Sequence, residues 1–130
     1  MQIVGIGTSI VECVRIGRMI ERHGELFLAR VYTASEIRFC QARRHVTEHF
    51  AERWAAKESL LKCLGKERRQ GLAWTDLEVR TLPDGATKVY VCGLAKERAK
   101  ALQVSDILLT MSHCRAYATA TALAVDNSRG

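Results

Sequence analysis

The 130-residue sequence predicts an α+β fold, a single compact domain over residues 1–130 with helices packed on antiparallel hairpins. Three observations lead there. Residues 76–93 are two alternating runs around Pro83-Asp84-Gly85, the pattern of a β-hairpin. Residues 107–125 are two more β-rich runs, interrupted near 112–115, which predict a second hairpin. Between and before them lie segments of helical period.

In chain order, residues 2–10 read as a short strand running into a hydroxyl-rich turn. A helix follows from residue 11. Val11, Val14, Ile16 and Ile20 fall on one side, Glu12, Arg15, Arg18 and Arg22 on the other, and Gly24 stops it. Residues 25–31 read as a second short helix. Thr33 or Ser35 ahead of Glu36 is a hydroxyl cap that starts a third. The longest helix runs over 47–64 and stops at Gly65. Lys66-Glu67-Arg68-Arg69-Gln70 then reads as a basic polar loop, and residues 95–103 as a charged amphipathic helix.

Composition narrows the class. Hydrophobic residues make up 48% and charged residues 26%, the balance of a soluble globular protein. No apolar run is long enough to span a bilayer, so no membrane role is expected. The N-terminus lacks the leading charges and cleavage site of a signal peptide, and a cytoplasmic location is expected. The five cysteines are scattered and form no C-x-x-C pair, which argues against a disulfide framework or a zinc site. Each is expected to be a small buried apolar residue. The net charge of +6 suits an acidic partner. Only 6% of residues are aromatic and no nucleic-acid motif occurs, so a nucleic-acid partner is not expected.

The 47–64 helix carries the chemistry. Phe50, Trp54 and Leu61 share a stripe that reads as the core face. Glu58 and Lys62 are one turn apart with Ala51 and Ala55 on their side, and Arg53 and Lys57 form a second such pair on the other flank. One reading makes these two i,i+4 pairs on a solvated helix face. The other makes an anion and metal site, where alanines let a ligand come close, a carboxylate holds Mg²⁺ and the cations neutralise phosphate. Two further segments bear on the choice: Gly5 and Gly7 at the end of the first strand, and His113 near a hairpin tip.

Taken together and in this order, GIGTSIVECVRI (5–16), FAERWAAKESLLKCLG (50–65) and LTMSHCRAYATA (109–120) resemble the holo-acyl-carrier-protein synthases. These are the small, single-domain 4′-phosphopantetheinyl transferases, and the likeness covers essentially the whole chain. It implies that family's fold and an enzyme that moves the phosphopantetheine arm of coenzyme A onto a serine of apo acyl carrier protein. It also implies Mg²⁺ and a homotrimer with the site between neighbouring subunits. On the matching positions, Glu58 is the metal ligand and Lys62 faces the pyrophosphate. Arg53 and His113 lie around the 3′-phosphate, and Gly65 lies near the nucleotide. Arg15 docks the acidic carrier, with Arg18 and Arg22 on the same helix face.

The chain departs from the family pattern at two places. Ser9 stands where the family has the second metal ligand, an Asp, and a neutral hydroxyl is a poorer ligand for a hard dication. Glu12, one helical turn on, is the nearest carboxylate that would replace it. The basic stretch 66–70 stands where the family has a small Gly/Thr-rich turn. The Ser9 departure keeps a second function open, a non-catalytic relative that binds carrier protein or coenzyme A.

Overall fold

The computed structural model describes residues 1–65 and 71–128. The chain opens with strand β1 (Gln2–Glu12), then helices α1 (Cys13–His23), α2 (Glu25–Val31), α3 (Ala34–Gln41) and α4 (Val46–Cys63). A 3-10 turn (Trp74–Asp76) leads into β2 (Leu77–Thr81) and β3 (Thr87–Val91), followed by α5 (Gly93–Ala101), β4 (Asp106–His113) and β5 (Tyr117–Asp126). Both predicted hairpins form, with Leu77 opposite Val91 and His113 opposite Ala118. The chain's first strand joins its last, giving an antiparallel sheet of order β1-β5-β4 beside the two-stranded β2-β3 sheet.

Helix α4 lies across β1 and β5, and small residues let it come close. Ala51, Ala55 and Ala56 on the helix are fully buried, as are Ala118, Ala122 and Ala124 on β5. Gly5 and Gly7 complete the contact from β1. A Cβ on Gly5 would sit 2.1 Å from the Cys63 carbonyl oxygen, and one on Gly7 would sit 2.0 Å from that of Ser59. The alanines and glycines therefore admit the helix to the sheet rather than a ligand to the helix, which corrects the sequence reading. The glycines are also mid-strand residues and not strand-end ones.

β1 runs two residues further than predicted, because Val11 and Glu12 pair with Ala118 and Tyr117 of β5. This moves Glu12 out of the first helix. Ser9 faces inward and is buried, while Glu12 is exposed three residues along the same strand. Side chains alternate along a strand, so the two point to opposite faces. Glu12 therefore does not replace the expected Asp.

α3 starts on a capping box: Thr33 Oγ1 accepts from the Glu36 N–H, and the Glu36 carboxylate accepts from the Thr33 N–H at 2.8 Å. The same carboxylate ties α3 to its neighbours. It accepts from the Val79 N–H at 2.8 Å and meets Lys57 Nζ at 2.7 Å, with both side chains fully buried. Cys13, Cys40 and Cys63 are buried as expected, and burial pushes the Cys40 and Cys63 thiols up to about 12. Cys92 and Cys114 are exposed, against expectation.

Candidate functional site

Helix α4 leaves one stripe uncovered. Trp54 and Glu58 are half-buried and Lys62 is exposed, while most of its other faces are buried. Residues four apart stand above one another on a helix, so these three form a column. Trp54 thus belongs to the open stripe, not to the core face the sequence reading gave it. Its ring stacks on Trp74, with centroids 5.8 Å apart.

The column meets β1 at its lower end. Ser9 Oγ donates to Glu58 Oε1 at 2.5 Å, and Lys62 Nζ donates to the Thr8 carbonyl at 2.9 Å. Gly7 makes this meeting possible, since a Cβ there would also press on Lys62 Cβ at 2.9 Å. The structure therefore brings Ser9, Glu58 and Lys62 into one place. The donor set offered to a hard cation is one carboxylate and one hydroxyl. That set is thin, yet it fits Mg²⁺, which proteins commonly hold through one or two carboxylates plus substrate phosphates.

Above the column, Arg15 of α1 places its guanidinium 5.6 Å from the centre of the Trp54 ring. Alongside runs an open groove of about 490 Å³, lined by Met19, His23, Leu26, Phe27, Trp54 and Trp74 among others. Arg18 and Arg22 are exposed on α1, where they flank Glu21 around a shallow depression.

The other flank of α4 is different. Arg53 and Lys57 are fully buried, 1% and 0% exposed, so they are not a solvated pair. Arg53 donates through Nη2 to Thr81 Oγ1 at 2.8 Å, and its guanidinium lies 4.2 Å over Phe39. Arg43 covers the same ring at 3.9 Å. Burial lowers the affinity of Arg53 for its proton, and its Nε is buried without a hydrogen-bond partner among the described residues. His113, at the end of β4, meets Glu52 of α4, with Nδ1 to Oε2 at 2.6 Å. His49 stands edge-on to His113, ring centres 4.9 Å apart, and to Phe39 at 5.8 Å. Burial pushes the His49 imidazole below its usual range.

Arg53 and His113 thus share the Phe39 side of α4, on a different flank from the column of Glu58 and Lys62. Gly65 follows the last turn of α4 with φ of +100°, its N–H bonded to the Lys62 carbonyl at 3.1 Å. The basic stretch 66–70 lies outside the described residues. Sequence reasoning missed His49, Glu52, Phe39 and Trp74. His49 and Glu52 carried one usable signal, a three-residue spacing that puts both on one helix face.

Known proteins resemble this chain in sequence and fold. The sequence matches the family described as the 4′-phosphopantetheinyl transferase superfamily over residues 5–122. A holo-[acyl-carrier-protein] synthase of Rhodopirellula baltica is 43% identical over 97% of this chain and 100% of its own length. The crystal structure of holo-[acyl-carrier-protein] synthase from Neisseria meningitidis superposes with a TM-score of 0.87 at 25% identity, covering 96% of this chain and 100% of that one. The Helicobacter pylori enzyme in complex with coenzyme A gives a TM-score of 0.81 at 25% identity, covering 92% and 99%. With a match over most of its length, the chain belongs to the 4′-phosphopantetheinyl transferase superfamily.

Proposed function

We propose that the chain transfers the 4′-phosphopantetheine arm of coenzyme A to a serine of apo acyl carrier protein, releasing adenosine 3′,5′-bisphosphate. The observation that carries this reading is the column on α4 meeting β1, where Ser9, Glu58 and Lys62 come together. The chemistry follows from charge. A diphosphate attacked by a hydroxyl gains charge on its leaving side, and fixed cations are the main help a protein can give. Lys62 is the exposed ammonium placed for it, held among the described residues by one backbone carbonyl that a phosphate oxygen would displace. Glu58 and Ser9 would hold Mg²⁺, which supplies further positive charge at the diphosphate. The attacking serine must lose a proton, and Glu58 is the carboxylate the column offers for it. Arg53, His113 and Gly65 are assigned to the nucleotide end of coenzyme A, with Arg43 as an added cation over Phe39.

The carrier is assigned to α1. Arg15, Arg18 and Arg22 supply positive charge beside an apolar groove, and rim charges of this kind set association rate and its salt dependence. The chain acts as one transferase domain in the cytoplasm, as a homotrimer. The outer face of the main sheet supports the trimer. Ile6, Leu123 and Leu108 stand in register across β1, β5 and β4, with Ile6 66% and Leu108 49% exposed. An apolar row of this kind marks an association surface. Among the described residues, no helix is long and apolar enough to cross a membrane.

Incubation with coenzyme A, Mg²⁺ and an apo carrier protein, followed by mass spectrometry of the carrier, tests the reading. The carrier should gain the mass of one phosphopantetheine. A carrier of unchanged mass, with coenzyme A still bound, would make the chain a binding module instead.

A further inference from the structure

His113 enters the reading above as a neighbour of phosphate, whereas His49 and Glu52 have no place in it. We propose that His49, Glu52 and His113 together form a binding site for one divalent transition-metal ion of the Zn²⁺ class, separate from the Ser9–Glu58 site. The proposal does not rest on the transferase reading.

Each of the three residues offers one ligand atom, and these atoms all lie within 4.8 Å of one another. Two come from neighbouring turns of α4 and the third from the end of β4, so the backbone of a helix and a strand fixes all three. The tightest pair is His113 Nδ1 and Glu52 Oε2 at 2.6 Å. With bonds of about 2.0–2.1 Å, ligand atoms of a tetrahedral zinc centre stand about 3.3 Å apart. An ion would therefore take the place of this hydrogen bond, parting the pair slightly and drawing His49 in. Two imidazoles and one carboxylate are an established donor set for zinc, with a fourth position left open. The His113 side chain is 25% exposed, so solvent reaches the cluster from its side.

Two further features favour this ion class. His49 Nδ1 is buried with no hydrogen-bond partner among the described residues, and a buried ring nitrogen in that state needs a partner from elsewhere. The surrounding charge also discriminates. Arg43 and Arg53 sit over the adjoining Phe39 ring, which disfavours a hard cation held by charge alone. Imidazole ligands bind Zn²⁺, Co²⁺ and Ni²⁺ through directional coordination, and the cations beside them suit an anion in the fourth position.

The test uses the full chain with Cys92→Ser and Cys114→Ser, because both cysteines are exposed and backbone N–H groups at the hairpin tip lower the Cys114 thiol. After chelator treatment, Zn²⁺ is titrated by calorimetry and Co²⁺ by its visible absorption. One equivalent should bind. His49→Ala and Glu52→Gln should each weaken it by at least about tenfold, the usual loss even for outer-shell partners, while Glu58→Gln should leave it unchanged. Circular dichroism confirms folding, and His49→Gln replaces His49→Ala if the latter unfolds. Absence of stoichiometric binding would overturn the proposal. So would binding that survives both cluster variants, or binding that Glu58→Gln abolishes.

Discussion

Two charged pairs on α4 have the same spacing and opposite surroundings. Arg53 and Lys57 are sealed inside, and Lys57 Nζ gives its hydrogens to Glu36, to the Leu77 carbonyl at 2.6 Å and to the Trp74 carbonyl at 3.0 Å. Burial lowers the affinity of Lys57 for its proton, and the Glu36 carboxylate acts against that. Glu58 and Lys62 stand on the open column, each with a single hydrogen bond to β1. A fully satisfied ammonium has nothing left for a ligand. A loosely held one can exchange its carbonyl for a phosphate oxygen. The difference separates Lys57, which holds the fold, from the column of Glu58 and Lys62, to which the proposed chemistry is assigned.

The largest effect expected on this account comes from Lys57→Ala. It strands the Glu36 carboxylate in the interior, and breaking a buried pair in this way costs about 3–5 kcal/mol. Urea denaturation of Lys57→Ala beside Lys62→Ala measures the contrast. The exposed Lys62 should cost no more than about 0.5 kcal/mol while turnover falls. Equal destabilisation by the two would erase the distinction between the flanks.

Gly7→Ala comes next. The new methyl meets the backbone of Ser59 and pushes α4 off β1, an overpacking that costs about 1–3 kcal/mol. Because Gly7 also seats Lys62, the folded fraction should lose turnover as well. Full specific activity in that fraction would mean that the column does not need its close seat on β1.

The smallest effect expected is a gain. Ser9→Asp adds a charged ligand beside Glu58, worth about 1.5 kcal/mol for a charged contact. That corresponds to about a tenfold lower Mg²⁺ concentration at half-maximal turnover. An unchanged titration would place the metal elsewhere.

Much of this was legible in the sequence, for physical reasons that differ by element. The β2–β3 hairpin shows in Pro83-Asp84-Gly85 because the turn needs a left-handed residue, and Gly85 has φ of +89°. The Thr33–Glu36 cap shows because a capping box is local. The column of Glu58 and Lys62 shows through a motif confined to one helix. What stayed hidden depends on contacts between distant segments. Spacing gave Arg53–Lys57 and Glu58–Lys62 the same weight, and only the packing of α3 and β2 against one flank tells them apart. The extension of β1 through Glu12 depends on pairing with Tyr117, more than a hundred residues away. The His49–Glu52–His113 cluster needs β4 laid beside α4, which no helix-local pattern announces.

Glu58→Gln tests the central claim most directly, with unfolding and carrier modification measured on the same preparation. The substitution is nearly isosteric and lies on the half-buried column, so the denaturation midpoint should stay close to that of the wild type. The rate at which the apo carrier gains phosphopantetheine should fall on the order of a hundredfold, as when a charge-stabilising group is removed from an active site. A folded Glu58→Gln protein that modifies the carrier at the wild-type rate would contradict the account.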